Sequence, residues 1–169
     1  CAWKKTEIIE TLQNLDKTYY ATFYIGKTTP SFDRETEYDN IYPIDHINQN
    51  LIIEALNDFQ GEIKQKPPIY SALKIKGKRL YEIARKGGLA EIKNRSIKIF
   101  EFKLINNNLP ELDFKIKCSK GTYIRSLAHD YGKKLNSGAH LKYLERYSIG
   151  EYNINESYSL GEINKLLFD

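Results

Sequence analysis

Two short stretches of the chain combine aromatic rings, positive charges and chain-turning residues. The first reads Lys-Pro-Pro-Ile-Tyr-Ser-Ala-Leu-Lys at residues 66–74 and continues to Arg85. The second reads Lys-Gly-Thr-Tyr-Ile-Arg-Ser-Leu at residues 120–127. Cations attract phosphates, and aromatic rings stack on bases that are splayed out of a helix. This mixture suits the binding of a planar base and its phosphates, although a solvated basic surface has the same composition.

Arg125, in the second stretch, lies where a helix is predicted to begin after a turn at Gly121. Backbone N–H groups at a helix start and a guanidinium would then converge on one point, which favours an anion. Arginine stays charged and can bind a carboxylate through two parallel hydrogen bonds. From the residues alone, an ordinary structural salt bridge explains Arg125 as well as anion binding does.

The composition describes one soluble domain with a modest positive charge. Its 169 residues are 41% hydrophobic and 28% charged, and the formal charge of +4 permits a polyanionic partner without requiring one. No apolar run could span a membrane and no signal peptide opens the chain, so we expect a cytoplasmic protein without a membrane partner. The two cysteines and three histidines lack metal-binding spacing, which predicts neither a metal site nor a disulfide.

Hydrophobic periodicity divides the chain into alternating helices and strands. We predict helices at residues 5–15, 45–60 with Asp45 as the N-cap, 79–86, 122–135 and 160–168. We predict strands at residues 17–25, 69–75, 96–105, 112–118, 141–147 and 152–154, with an exposed loop at 27–43 and a hairpin turn at Asn106–Asn108. Strands that follow one another with only a few helices between them indicate an α+β fold with a mainly antiparallel sheet.

Three further motifs complete a pattern that resembles the TruB family of tRNA pseudouridine synthases over residues 5–154. They are Asp-Lys-Thr-Tyr at 16–19, Gly-Lys-Thr-Thr-Pro-Ser-Phe-Asp at 26–33 and Gly-Ala-His-Leu-Lys-Tyr-Leu-Glu-Arg at 138–146. The resemblance implies a mixed, mainly antiparallel sheet with flanking helices and a central cleft. It also implies that the T-loop uridine at tRNA position 55 is flipped out, detached and rejoined to its ribose through carbon, without cofactor or metal.

The resemblance assigns roles to particular residues. Tyr19 would stack on the target uracil and take part in proton transfer, Arg125 would hold the catalytic aspartate, and both would meet in one pocket. Tyr20 should point to the opposite face of its strand, because successive side chains alternate. The implied substrate-binding residues are Tyr70, Lys74, Tyr123 and Leu144. The implied RNA-binding residues are Thr29, Asp33, Lys78, Arg79 and Arg146.

The family's catalytic aspartate lies in a Gly-His-x-Gly-x-Leu-Asp-Pro loop, and no such string occurs in these 169 residues. The chain also contains no methionine. We therefore expect residues 1–169 to be an N-terminally truncated catalytic core without a PUA domain, inactive alone and monomeric, that binds the tRNA T-arm. Asp16, Asp33 and Asp130 are not expected to replace the nucleophile, which would leave Arg125 without its partner.

One departure from the family and two alternative functions bear on this reading. Thr36 occupies a position where the family has glycine, so we expect the local turn to differ. A non-catalytic tRNA-binding or tRNA-folding module would carry the same motifs. A basic interaction domain with no RNA role would carry the same charge, and reversing the charges of Lys78 and Arg79 without changing tRNA affinity would favour it.

Overall fold

Short helices and longer strands follow one another in the computed structural model, which describes residues 8–75, 77–88 and 91–168. In chain order the elements are α1 (Ile9–Asn14), β1 (Lys17–Ile25), β2 (Lys27–Thr28), β3 (Asn40–Ile41), α2 (Gln49–Asn57), β4 (Gly61–Gln65), β5 (Lys74–Ile75), β6 (Lys78–Arg79), α3 (Leu80–Arg85), β7 (Arg95–Asn108), β8 (Glu111–Cys118), α4 (Ile124–Lys134), β9 (Ala139–Ile149), β10 (Tyr152–Asn153), a 3-10 helix (Ile154–Glu156) and α5 (Leu160–Phe168).

Six of these strands form the central sheet, in the order β10-β9-β1-β8-β7-β4. Every neighbouring pair among them runs antiparallel. Two two-stranded pairs, β2 with β3 and β5 with β6, lie outside this sheet. The α+β class and the antiparallel character predicted from sequence are therefore confirmed.

The core fills the space between one face of the sheet and the helices α2 and α4. Four aromatic side chains form its centre, and the closest pair of rings, Phe23 and Phe114, has centroids 4.7 Å apart. Phe102 and Tyr131 complete this cluster, and the buried Tyr131 hydroxyl donates a hydrogen bond of 2.8 Å to the Ile52 carbonyl in α2. Interlocked rings of this size bury much apolar area, so they fix how α4 lies on β1 and β9.

The boundaries of several elements agree with the sequence prediction because their patterns are local. Strand β1 and helix α5 have the predicted ends, β8 begins one residue earlier than predicted, and α3 is one residue shorter at each end. Residues 5–7 of the predicted first helix lie outside the described part of the chain, and within that part α1 covers Ile9–Asn14. The strand predicted at residues 141–147 is longer in the structure, because the pairing of β9 with β1 extends from Ala139 to Ile149.

Four predicted features are wrong. Helix α2 is capped by Asn48, whose side chain accepts a hydrogen bond from the Leu51 N–H, rather than by Asp45. Helix α4 starts at Ile124, two residues later than predicted. The predicted turn at residues 106–108 is the end of β7, because Asn106, Asn107 and Asn108 pair with β8 and the chain turns at 109–110 instead.

The fourth wrong prediction concerns the strand expected at residues 69–75. Only Lys74–Ile75 forms a strand, which pairs with β6. The stretch before it makes bends that bring Tyr70 and Ser71 against other elements. Strand β4 was not predicted at all. It pairs with the beginning of β7, from Gly61 opposite Ile99 to Gln65 opposite Arg95.

No helix within residues 8–75, 77–88 and 91–168 has the length and apolar character needed to cross a lipid bilayer.

Candidate functional site

A cavity of about 520 Å³ opens where β1, β9 and the turn before α4 meet, and we call it the Tyr19 cavity. Helix α1 closes one side of it. Three cationic side chains contribute to its wall together with the ring of Tyr19. Its lining residues are Ile9, Leu12, Gln13, Lys17, Tyr19, Ser119, Lys120, Gly121, Thr122, Arg146 and Ile149. A ring beside several cations is the arrangement expected to accept a base and its phosphates.

Tyr19 lies directly opposite Arg146 in the β1–β9 pairing, so both side chains belong to the same face of the sheet. Burial raises the pKa of the Tyr19 hydroxyl, and the Arg146 charge beside it acts in the opposite direction. Tyr20 points to the other face, as predicted, and its ring meets Tyr147 edge to face with centroids 5.4 Å apart. Tyr19 therefore stays protonated at neutral pH and presents a half-buried ring to the cavity.

The cations of the Tyr19 cavity repel one another. Burial lowers the pKa of Lys17, and the charges of Arg146 and Lys120 lower it further. The Lys17 ammonium donates hydrogen bonds to the backbone carbonyls of Gln13 (2.5 Å) and Leu15 (2.6 Å) at the end of α1. An anion in the cavity would relieve this repulsion.

A second cavity, of about 420 Å³, lies beside the first, and we call it the Arg125 cavity. Its lining residues are Asp33, Arg34, Glu35, Arg125, Leu141, Lys142, Tyr143 and Leu144. Arg125 forms an ion pair with Asp33, with 2.9 Å between guanidinium nitrogen and carboxylate oxygen, and its other terminal nitrogen donates to the Tyr70 carbonyl at 2.7 Å. Arg125 therefore has a carboxylate partner within the described residues, although this partner is Asp33 and not the aspartate of the family's catalytic loop.

Tyr19 lines the first of these cavities and Arg125 lines the second. The expectation that the two side chains meet in one pocket stays a prediction. The two cavities are nevertheless neighbours. Leu144 of the Arg125 cavity pairs with Ala21, and Arg146 of the Tyr19 cavity pairs with Tyr19 two residues further along the same strands. Side chains two residues apart in a strand share a face. The site therefore consists of two adjacent compartments along β1 and β9.

The loop that supplies Asp33 is held by its own hydroxyl groups. Thr29 is 1% exposed, and its hydroxyl donates a hydrogen bond of 2.6 Å to the Asp33 carbonyl. The Thr29 side chain therefore cannot make the predicted contact with RNA in this conformation. The second Asp33 carboxylate oxygen accepts from the Glu35 N–H at 2.9 Å. Both Asp33 oxygens thus serve the loop and Arg125, and the RNA contact predicted for Asp33 stays a prediction.

Thr36 takes part in closing the same loop, where the family pattern has glycine. Its side-chain oxygen accepts a hydrogen bond of 3.1 Å from the Ser31 N–H. The left-handed backbone conformation in this turn falls on Phe32, with φ of 64°. The Phe32 ring stacks on His129 of α4 at 3.8 Å between centroids, which secures an otherwise unfavourable conformation.

Gln65 in β4 fixes the beginning of α4, a role that the sequence did not indicate. Its buried side-chain amide accepts from the Tyr123 N–H at 2.8 Å and donates to the Tyr123 carbonyl at 3.1 Å. The Ser126 hydroxyl donates to the Lys66 carbonyl at 2.8 Å. The sequence of β4 shows only a short alternation, in which Ile63 and Gln65 are separated by charged residues, as a sign of a strand. The double hydrogen bond fixes the backbone of Tyr123, which immediately precedes α4, the helix that carries Arg125.

The remaining predicted residues lie around the opening of the Arg125 cavity or beyond it. Leu144 is exposed at its rim. Lys74 and Arg79 are exposed and oppose each other in the β5–β6 pair. Arg79 precedes α3 and donates to the Tyr81 hydroxyl at 3.1 Å. Lys78 belongs to β6, and its side chain lies outside the described part of the structure.

Within the described residues, no group of three or more His, Cys, Asp or Glu side chains is arranged to hold a metal ion. Burial lowers the pKa of His129 to about 4, so its ring is neutral at pH 7. Burial raises the pKa of the Cys118 thiol to about 11. Neither side chain is therefore charged at neutral pH. The charged residues that line the two cavities are lysines, arginines, Asp33 and Glu35.

Comparisons with known proteins agree on one family. Residues 1–124 match the family model described as TruB family pseudouridylate synthase (N terminal domain). The chain is 52% identical over 160 residues to tRNA pseudouridine synthase B of Flavobacterium johnsoniae, covering 95% of this chain and 70% of that protein. It is 47% identical over 167 residues to the protein of the same name in Parabacteroides distasonis, covering 99% of this chain and 71% of that one.

Solved structures show the same fold at lower sequence identity. A chain in the crystal structure of a Cbf5-Nop10-Gar1 complex superposes with a TM-score of 0.63 at 24% identity, covering 89% of this chain and 35% of that one. A chain in the structure of an H/ACA RNP bound to a substrate RNA containing 2'-deoxyuridine gives a TM-score of 0.59 at 21% identity, covering 33% of that chain. The chain spans about a third of these structures, and at this identity they establish the fold.

Proposed function

Because the chain belongs to the TruB family of pseudouridylate synthases, we propose that it forms the core of an enzyme that converts a uridine of tRNA into pseudouridine. The observation that supports this most directly is the Tyr19 cavity, where a half-buried ring and three cations surround a space of about 520 Å³. A space of this size can enclose a nucleoside, since ligand sites commonly measure about 300–1,000 Å³.

The target uridine must leave its stack before any chemistry can occur at its glycosidic bond. We expect the uracil to lie against the Tyr19 ring, which recovers part of the lost stacking free energy. Lys17, Lys120 and Arg146 would then neutralise the phosphates on either side of the flipped nucleotide. The substrate that we propose is the T-arm of tRNA, with the uridine at position 55 as the target.

The reaction exchanges one bond for another within the nucleotide. The bond between N1 of uracil and C1′ of ribose breaks, the base turns, and a bond between C5 and C1′ forms. C5 loses its proton and N1 gains one, so no oxidant, reductant or second substrate is needed. A carboxylate must start the first step, and the 169 residues contain no Gly-His-x-Gly-x-Leu-Asp-Pro string to supply it.

Arg125 is suited to receive that carboxylate beside the two compartments. A guanidinium has five N–H donors. The hydrogen bonds to Asp33 at 2.9 Å, to the Tyr70 carbonyl at 2.7 Å and to the Ser31 carbonyl at 3.5 Å use at most three of them. The remaining donors could bind a second carboxylate while Asp33 keeps the guanidinium in place. We therefore propose that this polypeptide is inactive alone and becomes active when a segment carrying the aspartate is supplied.

A turnover assay with a T-arm transcript tests this proposal. The 169-residue chain should form no pseudouridine, and a fusion that places the Gly-His-x-Gly-x-Leu-Asp-Pro segment ahead of Cys1 should form it. Replacing the aspartate of that segment by asparagine is the matched control and should abolish turnover. Turnover by the 169-residue chain alone would contradict the need for the segment.

The same fusion separates the enzyme from a non-catalytic tRNA-binding module. A folded fusion that binds the T-arm transcript yet forms no pseudouridine would favour the binding module. We also propose that the chain acts as a monomer. Sedimentation should then give a monomer without the transcript and a 1:1 complex with it, and a dimer or a 2:2 complex would contradict that part of the proposal.

A further inference from the structure

An exposed aromatic ring between two lysines lies on the face of the sheet that α2 and α4 leave uncovered. Phe100 in β7 is 42% exposed. The Lys98 ammonium lies 5.4 Å from the centre of its ring, and the Lys117 ammonium of β8 lies 6.0 Å from the same centre. We call Lys98, Phe100 and Lys117 the Phe100 patch.

Phe100 lies on the outward face of β7, at a β-bulge. The pairing of β7 with β8 shifts register between Ile99 and Glu101, so Phe100 is the extra residue of the bulge. Ile99 and Phe102 on either side point into the core, at 1% and 3% exposure. Ile97 is also buried, at 5% exposure, so Phe100 points outward by the regular alternation of the strand. The bulge shifts the alternation after Phe100, so that Phe102 points into the core again.

The charges of the Phe100 patch are available to an external anion. Neither Lys98 nor Lys117 forms an ion pair with a carboxylate of the described residues. Lys115, two residues before Lys117 on the same strand, pairs with Glu101 instead, at 3.0 Å. Glu101 is therefore already neutralised. Glu62 lies opposite Lys98 in the β4–β7 pair but forms no ion pair with it, so both lysines of the patch stay without a carboxylate partner among the described residues.

The Phe100 patch is connected to the Tyr19 cavity through one residue. Ser119 lines the cavity, its hydroxyl accepts from the Lys98 N–H at 2.9 Å, and its own N–H donates to the Lys98 carbonyl at 2.8 Å. Lys120 follows Ser119 in the cavity wall. Lys120 in the cavity wall and Lys98 in the Phe100 patch therefore lie on either side of Ser119, at the end of β8.

We propose that the Phe100 patch is a second RNA-binding subsite, at which an unpaired base of the bound RNA stacks on Phe100 while its flanking phosphates contact Lys98 and Lys117. This inference rests on the proposed function for the identity of RNA as substrate. Single-stranded nucleic acid is bound by this combination of stacking and cations, with little preference for base identity. The subsite would hold RNA that leaves the Tyr19 cavity and would add affinity without taking part in bond making.

The first experiment measures the affinity of a T-arm transcript that carries a single-stranded extension. Phe100→Ala should weaken binding about tenfold, the loss of one stacked base. Its matched control is Ile105→Ala, at the other end of the same strand and 46% exposed, which should leave the affinity within twofold. Equal affinities for the two variants would overturn the proposal.

The second variant reverses both charges of the patch. Lys98→Glu with Lys117→Glu should reduce the slope of log affinity against log salt by about two, one for each lost phosphate contact. The control, Lys133→Glu with Lys165→Glu, makes the same charge change on exposed helical residues outside the patch. An equal change of slope in both double variants would contradict a local contact.

A fluorescent probe distinguishes RNA from an acidic protein segment. Trp3 is the only tryptophan, so Trp3→Phe with Phe100→Trp moves the single indole to the patch. Oligouridylate should quench this indole at concentrations where polyglutamate does not. Quenching by polyglutamate and not by oligouridylate would overturn the proposal in favour of an acidic partner.

The binding assays separate this inference from the proposed function. If the unaltered chain does not bind the T-arm transcript at all, the proposed function fails. If it binds but the patch variants match their controls, only this inference fails.

Discussion

Two arginines line neighbouring compartments of the same cleft, and they differ in what holds them. Arg125 forms an ion pair with Asp33 and also donates to a backbone carbonyl. Arg146 faces Tyr19 across the β1–β9 pair and forms no ion pair with a carboxylate of the described residues. The first guanidinium is fixed by the protein before any ligand arrives, whereas the second keeps its charge for a ligand. The two arginines thus have different roles: Arg125 is a positioning charge, held in place by the protein, and Arg146 is a binding charge, available to a ligand.

Both compartments depend on the close approach of α4 to β9, and Gly132 makes that approach possible. A Cβ atom at this position would lie 2.3 Å from the backbone nitrogen of Ala139, which cannot move aside as a flexible side chain could. We expect Gly132→Ala to lower the free energy of unfolding by about 3 kcal/mol, at the upper end of the typical cost of overpacking, because the added Cβ meets backbone atoms. RNA binding should fall with it, because both compartments are displaced together. Urea unfolding at neutral pH measures the effect.

Gly161 provides the control for that substitution. It lies in helix α5, and the nearest atom to an added Cβ is 3.9 Å away. Gly161→Ala should therefore stabilise the helix by about 0.5–1 kcal/mol, the ordinary difference in helix propensity. An unfolding free energy for Gly132→Ala within about 0.5 kcal/mol of the unaltered chain would show that α4 and β9 can separate without cost.

Removing the partner of Arg125 should have the next largest effect. Asp33→Asn keeps the shape of the side chain but removes the charge from an ion pair whose side chains are 22% and 24% exposed. We expect a loss of about 1–3 kcal/mol of stability, typical of a hydrogen bond to a charged group in a partly buried site. Turnover of the fusion with the aspartate segment should fall as well, because Arg125 would no longer be held.

A double-mutant cycle with Arg125→Gln measures the coupling directly. Asp45→Asn is the matched control, since Asp45 is exposed and forms no ion pair with another described residue. That control should change stability by less than about 0.5 kcal/mol. A coupling energy between Asp33 and Arg125 near zero would mean that the Tyr70 carbonyl alone fixes the guanidinium.

Acid should weaken the Arg125 side of the cleft before the Tyr19 side, through His129. Its ring stacks on Phe32, next to Asp33 in the same loop, and burial holds its pKa down at about 4, with the Lys133 charge acting in the same direction. In the unfolded chain a histidine has a pKa of about 6.5, so the unfolded state binds the extra proton first. Stability from the neutral ring is complete above about pH 6.5 and is lost as the pH falls toward 4.

His129→Phe isolates this contribution, because it keeps an aromatic partner for Phe32 but cannot be protonated. Between about pH 7 and pH 4.5 the variant should lose about 1 kcal/mol less stability than the unaltered chain, a value below full linkage because the ring is partly exposed. Urea unfolding at the two pH values compares them. Parallel losses in the two proteins would assign the acid sensitivity to other groups, such as His140, whose pKa burial also lowers.

The sequence predicted the elements whose signals are local and missed the contacts that join distant segments. Strand β1 and helix α5 follow from their own alternation and periodicity. Strand β4 has one aliphatic residue, Ile63, and becomes a strand because β7 pairs with it more than thirty residues later. Gln65 is buried only because its amide binds the backbone of Tyr123. No window of sequence contains that information.

The same distinction applies to the candidate site. The motifs identified Arg125 and Tyr19 as residues of interest, but the partner of Arg125 lies 92 residues earlier in the chain. Thr36 shows a different limit, because a hydroxyl group closes a turn for which the family pattern uses glycine. Residue types can thus indicate which groups matter, whereas the pairing of those groups depends on how α4 and the loop after β2 meet in three dimensions.

The smallest stability change is expected for Arg146, and it completes the comparison of the two arginines. Arg146→Gln removes an exposed charge without breaking an ion pair, so the free energy of unfolding should stay within about 0.5 kcal/mol. The affinity for a T-arm transcript should nevertheless fall, and the salt slope should decrease by about one. The pKa of Tyr19 should rise further, because the Arg146 charge opposes the effect of burial.

Arg95 is an exposed arginine outside both compartments, so Arg95→Gln is the matched control and should change none of these quantities. If Arg146→Gln instead costs as much stability as Asp33→Asn and leaves RNA affinity unchanged, both arginines serve the fold, and the proposed division between a positioning charge and a binding charge fails.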